Sequence, residues 1–143
     1  MEKKVTQTKS EFMQWCDELE ANGYHILWAH ADCPTELQGF LPDGEVFYFR
    51  ARGSIATFEV GFDNLDAQKW AQVYEDVIWG TIRLDQSEGM YAYSWLSLEE
   101  AQALFKPMLQ EYRQTGIVIG SLAKPTNERI LVLKQMLMVD LAY

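Results

Sequence analysis

The sequence predicts an α+β fold, in which an antiparallel β-meander packs with N-terminal, middle and C-terminal helices. Two glycine turns, Asp43-Gly44 and Arg52-Gly53, separate runs of alternating apolar residues, the pattern of consecutive β-hairpins. Apolar residues recur at helical spacing before and after this segment. A length of 143 residues suits one domain. We therefore expect a single domain, residues 1–143, with a sheet over about 24–62 and residues 81–96 as its candidate extension.

The first predicted helix covers residues 9–22. Its apolar residues follow the spacing that places them on one side of a helix: Phe12, Trp15, Cys16 and Leu19. Thr8 and Glu11 have the spacing of a capping box, and Gly23 suits the positive φ of a helix end. Cys16 is expected in the core, because a free cysteine behaves as a small hydrophobic residue.

The predicted sheet begins at residues 24–31, where aromatic and β-branched side chains are frequent. We take the two glycine turns as two-residue hairpin loops, which fixes the pairing of the following strands. The expected core face carries Phe40, Phe47, Phe49, Ala51, Ala56, Phe58 and Val60. The opposite face carries Leu37, Gly39, Leu41, Val46, Tyr48, Arg50, Arg52, Ile55, Thr57 and Glu59. Phe40 is then expected opposite Phe47, an aromatic pair that favours strand pairing.

Helical spacing returns in residues 66–79, and Gly80 ends this predicted helix. Residues 81–84 and 90–96 are short alternating runs on either side of a polar, glycine-containing segment. They predict a second hairpin that would extend the sheet.

Two further helices are predicted in the last third of the chain. Ser97 and Glu100 form a second capping box, which opens a helix that runs to about Thr115. Pro107 lies inside this helix and removes a backbone donor, so we expect a kink or a break there. The last helix, about 127–141, is apolar on two sides. It is expected to be buried, either in the core or against a second copy in a homodimer.

The formal charge is −9, from 12 Lys and Arg against 21 Asp and Glu, which argues against general nucleic-acid binding. The chain lacks an apolar run of about 18 residues, so no membrane span is expected. Its first residues lack the apolar stretch of a signal peptide, which predicts a cytoplasmic location. The charge is uneven: residues 11–49 contain eight acids and no Lys or Arg, whereas residues 106–143 contain five basic and three acidic residues.

No residue pattern in the sequence indicates a metal, a cofactor or a catalytic centre. His25, His30 and Cys33 lack the spacing of zinc ligands, and on a regular strand the two histidines would point to opposite faces. Phosphate-binding loops, dinucleotide-binding motifs and nucleophile motifs are absent. We therefore expect no metal and no cofactor, and the sequence favours a binding protein over an enzyme.

Tyr48, Arg50 and Arg52 are the first candidate binding residues, because they alternate onto one face of the predicted sheet. Arginine beside tyrosine is common at binding surfaces, and the guanidinium recognises carboxylate or phosphate through paired hydrogen bonds. The alternative is that both arginines pair with nearby acids such as Glu36 or Glu59.

Tyr91, Tyr93 and Trp95 are the second candidate group. As alternate residues of a strand they would form an aromatic row able to stack on a sugar or a base. The alternative, which is commoner for aromatic residues at this spacing, is that they belong to the core.

The charge pattern and the two candidate groups lead to two functional expectations. The first is a small acidic, cytoplasmic protein–protein interaction module, of the inhibitor or immunity type, whose acidic first third meets a basic protein. The second is a small-ligand-binding module or enzyme with a pocket near one of the two candidate groups.

Overall fold

In the computed structural model, which describes residues 9–31, 33–61, 77–87, 89, 91–115 and 125–141, five antiparallel strands form a meander in the order β1-β2-β3-β4-β5. The strands are β1 His25–His30, β2 Thr35–Phe40, β3 Val46–Arg52, β4 Ile55–Gly61 and β5 Val77–Leu84. The described helices are α1 Lys9–Ala21, α2 Leu98–Thr115 and α3 Asn127–Leu141. The predicted α+β fold, with helices before and after an antiparallel meander, is confirmed.

α1 confirms the first predicted helix and its apolar side. Phe12, Trp15, Cys16 and Leu19 are all buried. Gly23, with φ of 94°, follows the helix end. Burial, together with the neighbouring carboxylates Asp17 and Glu20, raises the pKa of the Cys16 thiol to about 12. Thr8, the other half of the predicted cap, lies outside the described residues.

The predicted register of β2 was wrong by one residue. Phe40 pairs with Val46 rather than with Phe47, and the N–H of Leu41 donates to the carbonyl of Glu45 at 2.7 Å. The loop is therefore Pro42-Asp43-Gly44, with three residues and Gly44 at φ of 100°. Proline favours the second position of a type I turn, and a glycine at positive φ then closes a three-residue hairpin. Since one step of slip exchanges the two faces of a strand, Leu37 and Gly39 join the core face and Phe40 leaves it.

The turn between β3 and β4 is displaced without any exchange of faces. Arg52 pairs with Ile55, so the loop is Gly53-Ser54 instead of Arg52-Gly53. Gly53 has φ of 65°, as the first loop position of a type II′ turn requires. Each partner of β3 is thereby displaced by two residues along β4, and the side-chain period of two keeps the faces as predicted.

The core face of the sheet packs against α1 and α2. Phe47, Phe49 and Phe58 are fully buried on this face. The ring of Phe105 from α2 lies 5.5 Å from that of Phe49 and 5.6 Å from that of Phe58, while Trp15 from α1 lies 5.4 Å from Phe105, all edge to face. Edge-to-face rings at this spacing are favourable, so one aromatic cluster joins the sheet to both helices.

The other face, which we call the second face, packs in part against α3. Ile130 and Leu133 of α3 are buried with residues from three strands: Leu27, Phe40, Val46 and Tyr48. Leu131 and Val132 of the same helix are exposed. In its described side chains, α3 therefore contributes one apolar side to the core, and a homodimer through this helix stays a prediction.

A bulge in β1 changes the face of its second half. The β1–β2 register shifts between Ile26 and Trp28, so that Leu27 and Trp28 both lie on the second face. Next to this bulge, β1 approaches Gly39 so closely that a Cβ atom there would lie 2.0 Å from the carbonyl oxygen of His25.

The middle of the chain differs from the prediction in two places. β5 begins at Val77, so the helix predicted over 66–79 was wrong at its last three residues, and residues 66–76 lie outside the described residues. Residues 81–84 are strand, as predicted, but residues 91–96 form turns rather than the second strand of a hairpin. The backbone of this segment forms a hydrogen bond to the β3–β4 turn, in which the N–H of Tyr93 donates to the carbonyl of Gly53 at 2.8 Å.

α2 begins at the predicted capping box. The N–H of Glu100 donates to Ser97 Oγ at 3.1 Å, and the N–H of Ser97 donates to Glu100 Oε1 at 3.0 Å. Pro107 is exposed, and the helix continues past it, so of the expected kink or break, the break does not occur. Within the described ranges, no helix has both the length and the apolar character needed to cross a membrane.

Candidate binding site on the second face

In its described side chains, α3 packs at one end of the second face. At the other end, beyond Tyr48, six side chains of β3, β4 and β5 form a surface that we call the open half: Arg50, Arg52, Ile55, Thr57, Ile82 and Leu84. Three of them are large apolar residues with high exposure, 44% for Ile55, 54% for Ile82 and 64% for Leu84. Apolar side chains grouped on one rigid surface are typical of interaction sites.

The strand register arranges the open half in two rows. Arg50 lies opposite Thr57, which lies opposite Ile82. The second row is Arg52, Ile55 and Leu84 in the same order. The surface is therefore basic along β3 and apolar towards β5.

A shallow depression lies at the basic side of the open half. Within the described part of the chain, it is lined by Arg50, Arg52, Ile55 and Thr57, and its volume is about 210 Å³. Pockets that enclose small molecules usually measure about 300–1,000 Å³. The depression is thus large enough for one side chain and too small to enclose a typical cofactor.

Arg50 is held in place by a chain of hydrogen bonds. Its Nε donates to Glu36 Oε1 at 3.1 Å, and Trp28 Nε1 donates to Glu36 Oε2 at 2.9 Å. The ring of Trp28 also stacks on His30, whose Nδ1 lies 2.6 Å from the carbonyl oxygen of Pro34. Both Glu36 oxygens are therefore occupied, and the Arg50 side chain is fixed before any partner binds.

The two arginines differ in their local pairing. The alternative that an arginine of this face pairs with Glu36 is correct for Arg50. Arg52 is exposed and forms no ion pair with any acid of the described ranges. Tyr48 shares their face but is buried under α3, so it does not line the open half.

The second candidate group has a different geometry from the predicted aromatic row. Tyr91 and Trp95 are 60% and 48% exposed, and their rings stack at 6.2 Å. Trp95 has φ of 54°, a left-handed conformation that is uncommon for a bulky residue. Tyr93 is partly buried against the core, and burial, followed by the charge of Asp85, raises its pKa.

The structure brings the two groups to the same end of the sheet. Ser94 Oγ accepts a hydrogen bond from the N–H of Gly53 at 3.0 Å, and Gly53 directly follows Arg52. The segment between Tyr91 and Trp95 therefore borders the turn that follows Arg52.

The described residues hold no group of three or more His, Cys, Asp or Glu able to bind a metal ion. The bulge places His25 and His30 on the same face by register, which corrects the expectation of opposite faces. Five residues along a strand still separate them by roughly 16 Å. They cannot share one ion.

Sequence reasoning missed a buried pair between the β2–β3 hairpin and α2. The hydroxyl of Tyr112 donates to Glu45 Oε2 at 2.6 Å, whereas Glu45 Oε1 is buried without a partner among the described residues. Burial, and then the bond to Glu45, raises the pKa of Tyr112. These residues are 67 positions apart, so no spacing in the sequence could indicate the pair.

Two acids of the first third are used inside the fold, since Glu36 binds Arg50 and Glu45 binds Tyr112. Asp43 lies 4.0 Å from Arg113 but stays exposed. The exposed acidic surface of this region therefore includes the β2–β3 turn and α1, where Asp17 and Glu18 face solvent.

Comparisons with protein-family models, with curated proteins and with solved structures find no match to this chain.

Proposed function

We propose that this chain is a protein-binding module that holds an acidic, apolar segment of a partner on the open half of the second face. The supporting observation is the placement of Ile55, Ile82 and Leu84, all exposed, beside Arg50 and Arg52 on one rigid sheet. An apolar patch with arginine at its margin has the composition of an interaction hot spot.

The form of the site favours a protein partner over a small molecule. A depression of about 210 Å³ can take the end of one side chain, while the rest of the contact must lie on the flat surface around it. The site also favours binding over catalysis. Of the two acids on this face, Glu36 uses both oxygens in hydrogen bonds to Arg50 and Trp28, and Glu59 lies opposite Tyr48, outside the residues that line the depression. Neither is placed to act there as a general base.

The charge of the open half indicates an acidic partner. Arg50 and Arg52 are the charged residues that line the depression, and complementary charge guides association and selects the partner. The sequence alone led to the opposite expectation, a basic partner. That interpretation stays a second candidate, because α1 exposes Asp17 and Glu18 together with the apolar side chain of Met13.

The cytoplasmic location also belongs to this proposal. Cys16 and Cys33 are free thiols, which suits a reducing compartment.

An array of short peptides tests the proposal. The peptides have equal apolar content and are acidic, neutral or basic. We expect the folded protein to bind the acidic set. Ile82→Ser and Leu84→Ser should each weaken this binding at least about tenfold, because an apolar contact is lost and no charge is added that could attract the acidic peptide. Both residues are exposed, so the fold should be retained.

Met13→Ser is the matched control, since Met13 is an exposed apolar residue on α1. It should leave binding of the acidic peptides unchanged. Acidic peptides that bind Ile82→Ser and the unmodified protein equally would overturn the proposed site. Binding of the basic set, lost on Glu18→Lys, would instead support the second candidate.

A further inference from the structure

We infer that the depression at Arg50, Arg52 and Thr57 is a subsite for one carboxylate group of the partner. This inference rests on the proposed function and names the chemistry that the partner must bring. The carboxylate can come from an Asp or Glu side chain or from the carboxyl end of a chain, because both present the same planar pair of oxygens.

The hydrogen-bond donors of the depression carry the inference. Glu36 occupies the Nε–H of Arg50 and leaves the guanidinium Nη groups with no partner among the described residues. Arg52 and the hydroxyl of Thr57 likewise have no partner within the described ranges. Two guanidinium groups and a hydroxyl around one small depression match a carboxylate, which accepts paired hydrogen bonds from arginine.

The local charge selects a carboxylate over a phosphate. Arg50 and Arg52 bring two positive charges, and Glu36 neutralises one of them. One monoanion therefore balances the site, whereas a phosphate carrying about two charges would leave an excess of negative charge. The chain as a whole is already at −9, which opposes a second negative charge further.

The apolar side chains next to the depression indicate which kind of ligand carries the carboxylate. Ile55 lines the depression itself, and Ile82 and Leu84 continue the apolar surface towards β5. The ligand is therefore a carboxylate joined to an apolar body, which lies along these side chains while its charged end meets the arginines.

The experiment titrates the full chain with hexanoate, hexanamide and hexyl phosphate, followed by NMR of backbone amides and arginine Nε–H groups. We expect saturable shifts at Arg52, Ile55 and Thr57 with hexanoate, and weaker or no saturation with the other two compounds. Arg52→Ala should weaken hexanoate binding about tenfold, the usual effect of losing a hydrogen bond to a charged group. Arg113→Ala is the matched control, because Arg113 is also exposed but lies next to Asp43.

Equal shifts with Arg52→Ala and the unmodified protein would overturn the inference, as would tighter binding of hexanamide or hexyl phosphate than of hexanoate. The peptides of the array, made with a free or an amidated carboxyl end, distinguish the two sources of the carboxylate. If Ile82→Ser abolishes peptide binding but Arg52→Ala does not, the docking surface stands and the carboxylate subsite fails. If no peptide binds at all, the proposed function itself fails.

Discussion

At the scale of single residues, Glu59 combines a carboxylate with an apolar environment. It lies on the second face opposite Tyr48, and its Oε2 is buried without a hydrogen-bond partner among the described residues. Burial raises the pKa of this carboxyl above its ordinary value of 4.5, because it removes hydration from the charged form. The folded state therefore favours protonated Glu59 more than the unfolded state does.

Glu59→Gln is expected to stabilise the protein at neutral pH. A raised pKa in the folded state means that stability falls as pH rises from about 4.5 through the folded value. The amide removes this loss, so the melting temperature should rise at pH 7 and change little at pH 4. Thermal unfolding at the two pH values measures the effect, with the exposed Glu18→Gln as the control. A lower melting temperature at pH 7 would contradict the prediction and indicate that Glu59 is paired when charged.

Tyr112 is expected to contribute stability through its single hydrogen bond to buried Glu45. Tyr112→Phe leaves both oxygens of a buried carboxylate without a partner among the described residues, which should cost about 1–3 kcal/mol. Urea unfolding measures the loss. Tyr24→Phe is the matched control, because Tyr24 is equally buried and its hydroxyl has no hydrogen bond to a described residue. Equal losses for the two variants would show that the bond to Glu45 contributes nothing.

Residue alternation predicted the core positions well and the polar contacts poorly. The period of two along β3 and β4 places Phe47, Phe49 and Phe58 in the core, because burial of alternate side chains is a local property of a strand. The pairing of Arg50 with Glu36 was considered as an alternative, but the predicted register places Glu36 opposite Ala51 on the core face, and only the observed register places it opposite Arg50. The bond between Glu45 and Tyr112 joins a hairpin to a helix, and only the packing of the whole chain determines it.

At the scale of elements, β2 shows where sequence reasoning reaches its limit. An aspartate-glycine turn is compatible with loops of two or three residues, and the difference of one residue exchanges the faces of the strand. Leu37 and Phe40 are both large and apolar, and both are buried, one on each face. The apolar pattern of β2 therefore could not choose between the two registers.

The close approach of β1 to β2 predicts that Gly39 cannot be replaced. In Gly39→Ala the new Cβ would lie 2.0 Å from the carbonyl oxygen of His25, a backbone atom that cannot move without displacing β1. We expect a loss of about 3 kcal/mol or more in the free energy of unfolding, the upper range for overpacking. Chemical denaturation measures it.

Gly89→Ala measures what a left-handed backbone conformation alone costs when a glycine is replaced, without the steric clash expected at Gly39. A Cβ at Gly89 meets nothing within 4 Å, and only the φ of +66° opposes it. This variant should lose about 1 kcal/mol, the usual cost of a left-handed conformation. If Gly39→Ala cost no more than Gly89→Ala, the two strands would not be as close as the structure places them.

At the scale of the whole molecule, unequal cover of the sheet creates the candidate site. α1 and α2 pack across the core face, whereas α3 packs on the second face against Leu27, Phe40, Val46 and Tyr48. The sequence predicted helices on a meander and one sheet face that carries Arg50 and Arg52. The part of that face left open depends on where α3 lies, and no pattern in the chain specifies this.

The net charge leads to a prediction about the whole fold. With a charge of −9, self-repulsion opposes the compact state. Ion pairs such as Arg83 with Glu111 are partly exposed and contribute little against it. Raising NaCl from about 0.05 M to about 0.5 M shortens the screening length to a few ångströms and should therefore raise the melting temperature. Glu18→Lys, which changes the charge of the exposed side of α1 by two, should reduce this salt dependence. A melting temperature that falls as salt increases would show that ion pairs, rather than repulsion, dominate the electrostatic contribution to stability.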